Sequence, residues 1–162
     1  MTDPRRFIAD QLHRLHVGDA WHGPSMHEAL DGVTAAMAVS RPVPNAHNIA
    51  EYVHHIAAWA GEVTMRLGGR EPQMPEAGDF PEPLWHLTDD EWAALRDKLD
   101  RAHEGLAAAI LAFDVSRLDE PVGTARDAPT GTGVTYAAML HGLVQHDAYH
   151  AGQLVMLRRA LG

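Results

Sequence analysis

The sequence predicts an all-α fold, a four-helix bundle, and three observations carry that prediction. Four main segments repeat apolar residues at alternating spacings of three and four, the period of a helix with one buried face. Helix-start signals precede them, including three capping boxes, Ser25 with Glu28, Asn48 with Glu51 and Thr88 with Glu91. No stretch sustains the two-residue alternation of a half-buried strand. At 162 residues the chain can bury a real core and is expected to form a single domain over 1–162.

The first element opens at Pro4, a good first helical residue, with Asp3 as its cap, and carries Phe7, Ile8, Leu12 and Leu15 inward. Its pattern breaks near Val17-Gly18 and is interrupted by Trp21-His-Gly-Pro24. Ser25 then starts a second piece bearing Met26, Leu30, Val33 and Met37, and the two pieces are expected to form one kinked helix. Arg41-Pro-Val-Pro44 ends it, because proline lacks the backbone donor and pushes its predecessor out of the helical region. The second helix runs from Asn48 to Leu67 and stops at Gly68-Gly69, with Ile49, Val53, Ile56, Ala60, Val63 and Leu67 as its seam. Residues 70–87 hold four prolines and form a long connection, from which Phe80 and Trp85 are expected to dock onto the bundle. A third helix follows Thr88 through about Ala112, with Trp92, Leu95, Leu99, Ala102, Leu106 and Ile110 inward. Residues 114–133 make a second connection with room for a short extended pair. Its Gly131-Thr-Gly133 lacks the longer glycine pattern and the Lys of a phosphate loop. The last helix spans about Thr135 to Leu161.

Thirteen basic against 22 acidic residues, a net charge of -9, exclude the basic footprint that nucleic acid or an anionic membrane surface requires. No run approaches the length of a membrane span and the N-terminus has no signal-like apolar stretch, so a cytoplasmic protein is expected. With no Cys, disulfides, thiolate-bound zinc, iron–sulfur clusters and a cysteine nucleophile are excluded for this chain. Any thiol chemistry must use a thiol from outside.

His146-Asp-Ala-Tyr-His150-Ala-Gly-Gln153 is where chemistry concentrates. Imidazoles four residues apart lie about 40° apart around a helix and one turn along it, so both can face one ion. Twelve His in the chain would produce roughly one such pair by chance, so spacing alone is weak. The pair shares its face with Met139, Leu143, Leu154 and Leu157, which points the rings toward the core. A third ligand is offered by the second helix. There His54 falls nearly opposite Ile56, whereas His55 lies beside Tyr52 and Trp59 on the shoulder of the apolar face, and the wheel favours His55. Three imidazoles suit a borderline divalent ion such as zinc or nickel and leave a position open. Tyr52 and Trp59 are candidates for walls of the site, and Gln153 for orienting a ligand. Asp147 and Tyr149 project about 100° away from the ligands and are not expected to bind the ion. His13, His16, His22 and His27 share no spacing and are read as surface or packing residues, and His103 as a surface residue. A rival pattern, Glu51-x-x-His54 with Asp147-x-x-His150, is that of di-iron bundles, but lacks identifiable bridging carboxylates.

Trp21-His-Gly-Pro-Ser25, Asn48-Ile-Ala-Glu-Tyr-Val-His-His-Ile-Ala-Ala-Trp59 and His146-Asp-Ala-Tyr-His-Ala-Gly-Gln-Leu154 together resemble the DinB-like superfamily of bacterial metalloenzymes over nearly the whole chain. The resemblance implies a divalent metal held by His55, His146 and His150. It also implies a metal-dependent S-transferase using a low-molecular-weight thiol such as bacillithiol, mycothiol or glutathione, acting on a small molecule, and a homodimer. A metal-dependent hydrolase and a non-catalytic stress-response module with a structural metal remain as alternatives.

Overall fold

The computed structural model describes residues 3–124, 126–127 and 129–162. Met1, Thr2 and, in the second connection, Ala125 and Ala128 lie outside the described residues. Among the described residues the chain is helical: α1 Pro4–Val17, α2 Met26–Leu30, α3 Ala35–Val39, α4 Ile49–Leu67, α5 Asp89–Ala112, a 3-10 turn Val115–Arg117, and α6 Tyr136–Leu161. The helices pack as a bundle in which α1 and α4 each touch both α5 and α6, which places α5 and α6 on a diagonal.

The local signals act as expected at the helix starts. Side chains of Asp3, Ser25, Asn48, Thr88 and Thr135 each accept a backbone N–H of the first turn, and the three capping boxes are closed in both directions. Each such cap contributes about 1 kcal/mol.

The N-terminal region differs from the expected kinked helix, because it is three separate helices, α1, α2 and α3. Asp19 at φ 63° turns the chain after α1, and Gly32 at φ 71° sits between α2 and α3, a conformation that costs glycine nothing. A new cap, Thr34, then starts α3. In the second connection, an isolated antiparallel bridge pairs Pro121 with Thr135, and Val122 N–H donates to the Val134 carbonyl at 2.8 Å.

The apolar core is divided. One cluster gathers Leu15, Leu30, Ile49, Val53, Ile56, Trp92, Leu99 and Leu154. The other gathers Ile8, Leu12, Val63, Leu106, Ile110, Leu140 and Leu143. Beside Leu15 on α1, between Leu99 and Leu106 on α5, and between Leu143 and Leu154 on α6, the sequence places His16, His103, His146, Asp147 and His150. A polar layer therefore crosses the bundle at mid-height, and buried polar groups must be matched there.

Candidate metal centre

α4 and α6 bring His55, His146 and His150 together from positions 91 and 95 residues apart in sequence. Their Nε2 atoms are separated by 2.9 Å (His55 to His146), 3.1 Å (His55 to His150) and 3.1 Å (His146 to His150). At that distance two nitrogens either share a proton or lean on a common cation. The opposite ring nitrogens decide between the two.

Each Nδ1 faces an oxygen. His55 Nδ1 donates to the Asp79 carbonyl at 2.5 Å, His146 Nδ1 to Asp147 Oδ1 at 3.0 Å, and His150 Nδ1 to Gln153 Oε1 at 2.5 Å. Carbonyl and carboxylate oxygens only accept, so the neutral tautomer of each ring carries its proton on Nδ1 and presents a lone pair at Nε2. Three converging lone pairs with no proton between them repel. The donor set therefore fits a borderline divalent cation, and the outer hydrogen bonds are of the kind that fix ligand orientation. The His55, His146 and His150 group could hold such an ion.

Electrostatics lean the same way. Burial, then the neighbouring His146 ring, push His150 down to about 4 from its ordinary 6.5. Burial likewise lowers His55. Near neutral pH both rings are uncharged and able to donate. His55 and His150 are 4% and 7% exposed, whereas the His146 side chain is 29% exposed and is the most solvent-open of the three.

Support continues behind His146. The fully buried Asp147 carboxylate accepts from His146 Nδ1 through Oδ1 and from His103 Nε2 through Oδ2 at 3.0 Å. His103 Nδ1 donates in turn to the Leu99 carbonyl at 3.0 Å, so both of its nitrogens face acceptors and the ring is held as an imidazolium. Burial alone would lower His103, but the Asp147 carboxylate outweighs it and raises the ring above its ordinary value. Burial would raise Asp147, and His103 and His146 together hold it low. The pair crosses the diagonal between α5 and α6. His103 is thus 3% exposed, against its expected place at the surface. Its spacing contained the signal, since it lies four after Leu99 and three before Leu106 on the inward stripe.

Of the remaining expected residues, Trp59 stands at the edge of the site and donates Nε1–H to Asp79 Oδ1 at 2.9 Å. Tyr52 is buried beside His150, ring centroids 5.3 Å apart. Gln153 holds His150 as described. Phe80 docks as expected, stacked between His47 at 3.6 Å and His55 at 4.1 Å. Trp85 does not dock into the core, being 71% exposed with the Arg41 guanidinium 4.4 Å over its ring. His54 is half-buried next to Lys98, on the α5 side, away from the site. The di-iron pattern gathers no centre among the described residues. Glu51 instead closes the α4 cap and accepts from Arg41, His47 and the Leu84 backbone.

Elsewhere His16, His27 and Asp100 also bring three donor atoms together. Both Nε2 atoms contact the same Asp100 Oδ1, at 2.8 and 2.9 Å. His16 is buried and stacks on His103 at 4.1 Å, and burial followed by the His103 charge pushes it down to about 4.

A cavity of about 540 Å³ opens from the three-histidine group between α4 and α6, roofed by the two long connections. A helical bundle with a buried three-histidine group facing such a cavity is the class that fold and site define. The chain belongs to the DinB superfamily, whose family model matches residues 20–154. Among curated proteins no match to the sequence is found. No helix of the described residues is long and apolar enough to cross a membrane.

Proposed function

We propose that the protein is a metal-dependent S-transferase that joins a diffusible low-molecular-weight thiol to a small electrophile, with one zinc or nickel ion held by His55, His146 and His150. The observation that carries this reading is the tautomer set: three Nδ1 protons committed to Asp79, Asp147 and Gln153 leave three Nε2 lone pairs aimed at one point. A divalent ion bound there would supply a Lewis acid that lowers the pKa of a thiol or water toward neutrality. The chain itself has no cysteine, so the sulfur must enter from solvent, past His146.

In the transfer, sulfur forms the new bond to carbon, the leaving group departs with its bonding pair, and the thiol proton passes to solvent on the His146 side. The imidazoles would not take that proton, because each Nδ1 already donates to an oxygen and each Nε2 would be held by the ion. Asp147 keeps His146 oriented, and the His103 charge keeps Asp147 ionised. Trp59 and Tyr52 flank the rings on the α4 side, and Gln153 fixes His150.

The test supplies metal-loaded protein with a haloaromatic electrophile, with and without bacillithiol, mycothiol or glutathione, against a His150→Ala control. A metal-dependent rate that appears with one thiol only supports the transferase. Turnover of esters or amides without thiol would replace it with a hydrolase, and silence in both panels would leave a non-catalytic module. The same reading takes the protein as cytoplasmic and homodimeric. Exposed Tyr149 and Met156, seven residues apart on one face of α6, support the dimer, and a concentration-independent monomer mass by light scattering would overturn it.

A further inference from the structure

The cavity has a shape and a chemistry that narrow its ligand. On α4 it is lined by His55, Trp59, Val63 and Arg66, spaced four, four and three, a single helical face. Its α6 side runs from His150 and His146 back past Leu143 and Gly142 to Met139. The two helices are antiparallel here, with His55 against His146 and His150 and, eleven residues on, Arg66 against Met139. Eleven residues of helix span about 16 Å. The cavity is therefore a trough with the histidines at one end and apolar walls along its length.

Its formal charges, apart from histidine, are committed. Arg66 is 2% exposed and gives Nε–H to Glu62 at 2.9 Å, Nη1 to the Thr130 carbonyl at 2.8 Å and Nη2 to the Gln73 carbonyl at 3.0 Å. Asp79 accepts from Trp59. A carboxylate in the middle of the trough would give up water for Val63, Leu143 and Met139, at a cost no free donor offsets. A hydrocarbon or aryl group would gain there, as in most small-molecule sites of this size.

We propose that the trough binds an elongated, predominantly apolar molecule with a single polar head at the histidine end and an uncharged tail lying between α4 and α6 toward Arg66. The assignment rests on the metal reading above for its head and on the lining alone for its tail. In the transfer it makes the trough the seat of the apolar reactant, and it leaves a highly charged thiol to the solvent mouth beside His146.

Gly142 provides the test. A Cβ built on it meets no atom within 4 Å, so a side chain begins in open space at a position that lines the trough. It sits inside α6, where leaving glycine also removes a helix penalty. The experiment measures binding of n-alkanethiols from ethanethiol to decanethiol by calorimetry, on zinc-loaded and zinc-free protein, for wild type and Gly142→Leu. Zinc stoichiometry and melting temperature are followed in parallel. In the loaded wild type, affinity should rise about fourfold per methylene until the trough is filled, and then level off. Gly142→Leu should lose that gradient while keeping its zinc and a melting temperature no lower than that of the wild type, and glutathione should compete poorly. Affinity independent of chain length, or a gradient that survives Gly142→Leu in a folded, zinc-loaded protein, would overturn the proposal. An equally steep and equally tight gradient without zinc would keep the trough and its tail assignment but remove the metal from the head, a failure of the functional reading alone.

Discussion

Two groups of three donors sit at the polar layer, one between α4 and α6 and one joining α1, α2 and α5, and they differ in what lies among their nitrogens. In the His16, His27 and Asp100 group a carboxylate oxygen is the meeting point, so each ring can give its Nε2 proton to Asp100. In the His55, His146 and His150 group the carboxylate has moved behind the ring, to Nδ1 of His146, and nothing in front can accept or donate. Donor count is the same. The placement of one oxygen decides which group calls for a cation.

Metal content should distinguish the two groups most sharply. His146→Ala or His150→Ala should reduce bound metal from one ion per chain to nearly none in an elemental assay, whereas His16→Ala and His54→Ala should retain it. Metal lost equally from His16→Ala would put the two groups on the same footing. Next in size is the carboxylate itself. Asp147→Ala leaves the His103 charge buried without a partner and should cost about 3–5 kcal/mol in urea denaturation. Asp147→Asn, which keeps the volume, should weaken metal affinity about 10–100-fold by loosening His146.

Acid titration of the metal-free protein gives a smaller effect, and one that the two groups share. His16 and His150 are each pushed down to about 4 from 6.5, so the unfolded chain takes up protons that the folded chain refuses. Their contribution to stability is complete above about 6.5 and is lost as the pH falls toward 4. His103 runs the opposite way. Its raised value makes its contribution full below 6.5 and lost as the pH climbs through the folded-state value. His16→Phe should therefore flatten the acid slope of stability by about one proton without altering metal content. An unchanged slope would show that His16 is not the refusing group. The smallest effect belongs to His27, whose side chain is 44% exposed, so that His27→Ala should change stability by less than about 0.5 kcal/mol.

Helix starts were legible because a cap is a local event, written in residues three apart, as Asn48 with Glu51 and Thr88 with Glu91 show. Choosing His55 over His54 was legible for a similar reason, since a wheel needs only the helix it is drawn on. The projection of Asp147 away from the Nε2 atoms of its neighbours is what lets it support His146 from behind. That role depends on His103, 44 residues away on a diagonal helix, and no pattern within α6 contains it. The break between α2 and α3 escaped the apolar spacing of Met26, Leu30, Val33 and Met37 because those residues still face one core after the turn at Gly32. Trp85 was misplaced because a large aromatic has two ways to leave water, and here Arg41 covers one face while the rest stays wet.

The two buried carboxylates of α4 do more than close a cap and hold Arg66. Glu51 accepts the Leu84 N–H at 2.8 Å and Glu62 the Gln73 N–H at 3.1 Å, and each pair, on the helix and on the connection, is eleven residues apart. Along α4 that interval is about 16 Å, less than half of what the same number of residues reaches when extended. The connection is consequently longer than the gap between its two pins, which leaves length for Asp79 and Phe80 to lie over His55. Residues 74–83 thus roof the histidine end of the bundle through the Asp79 carbonyl and the Phe80 ring, while the two pins tie that roof to a fixed register of the helix beneath.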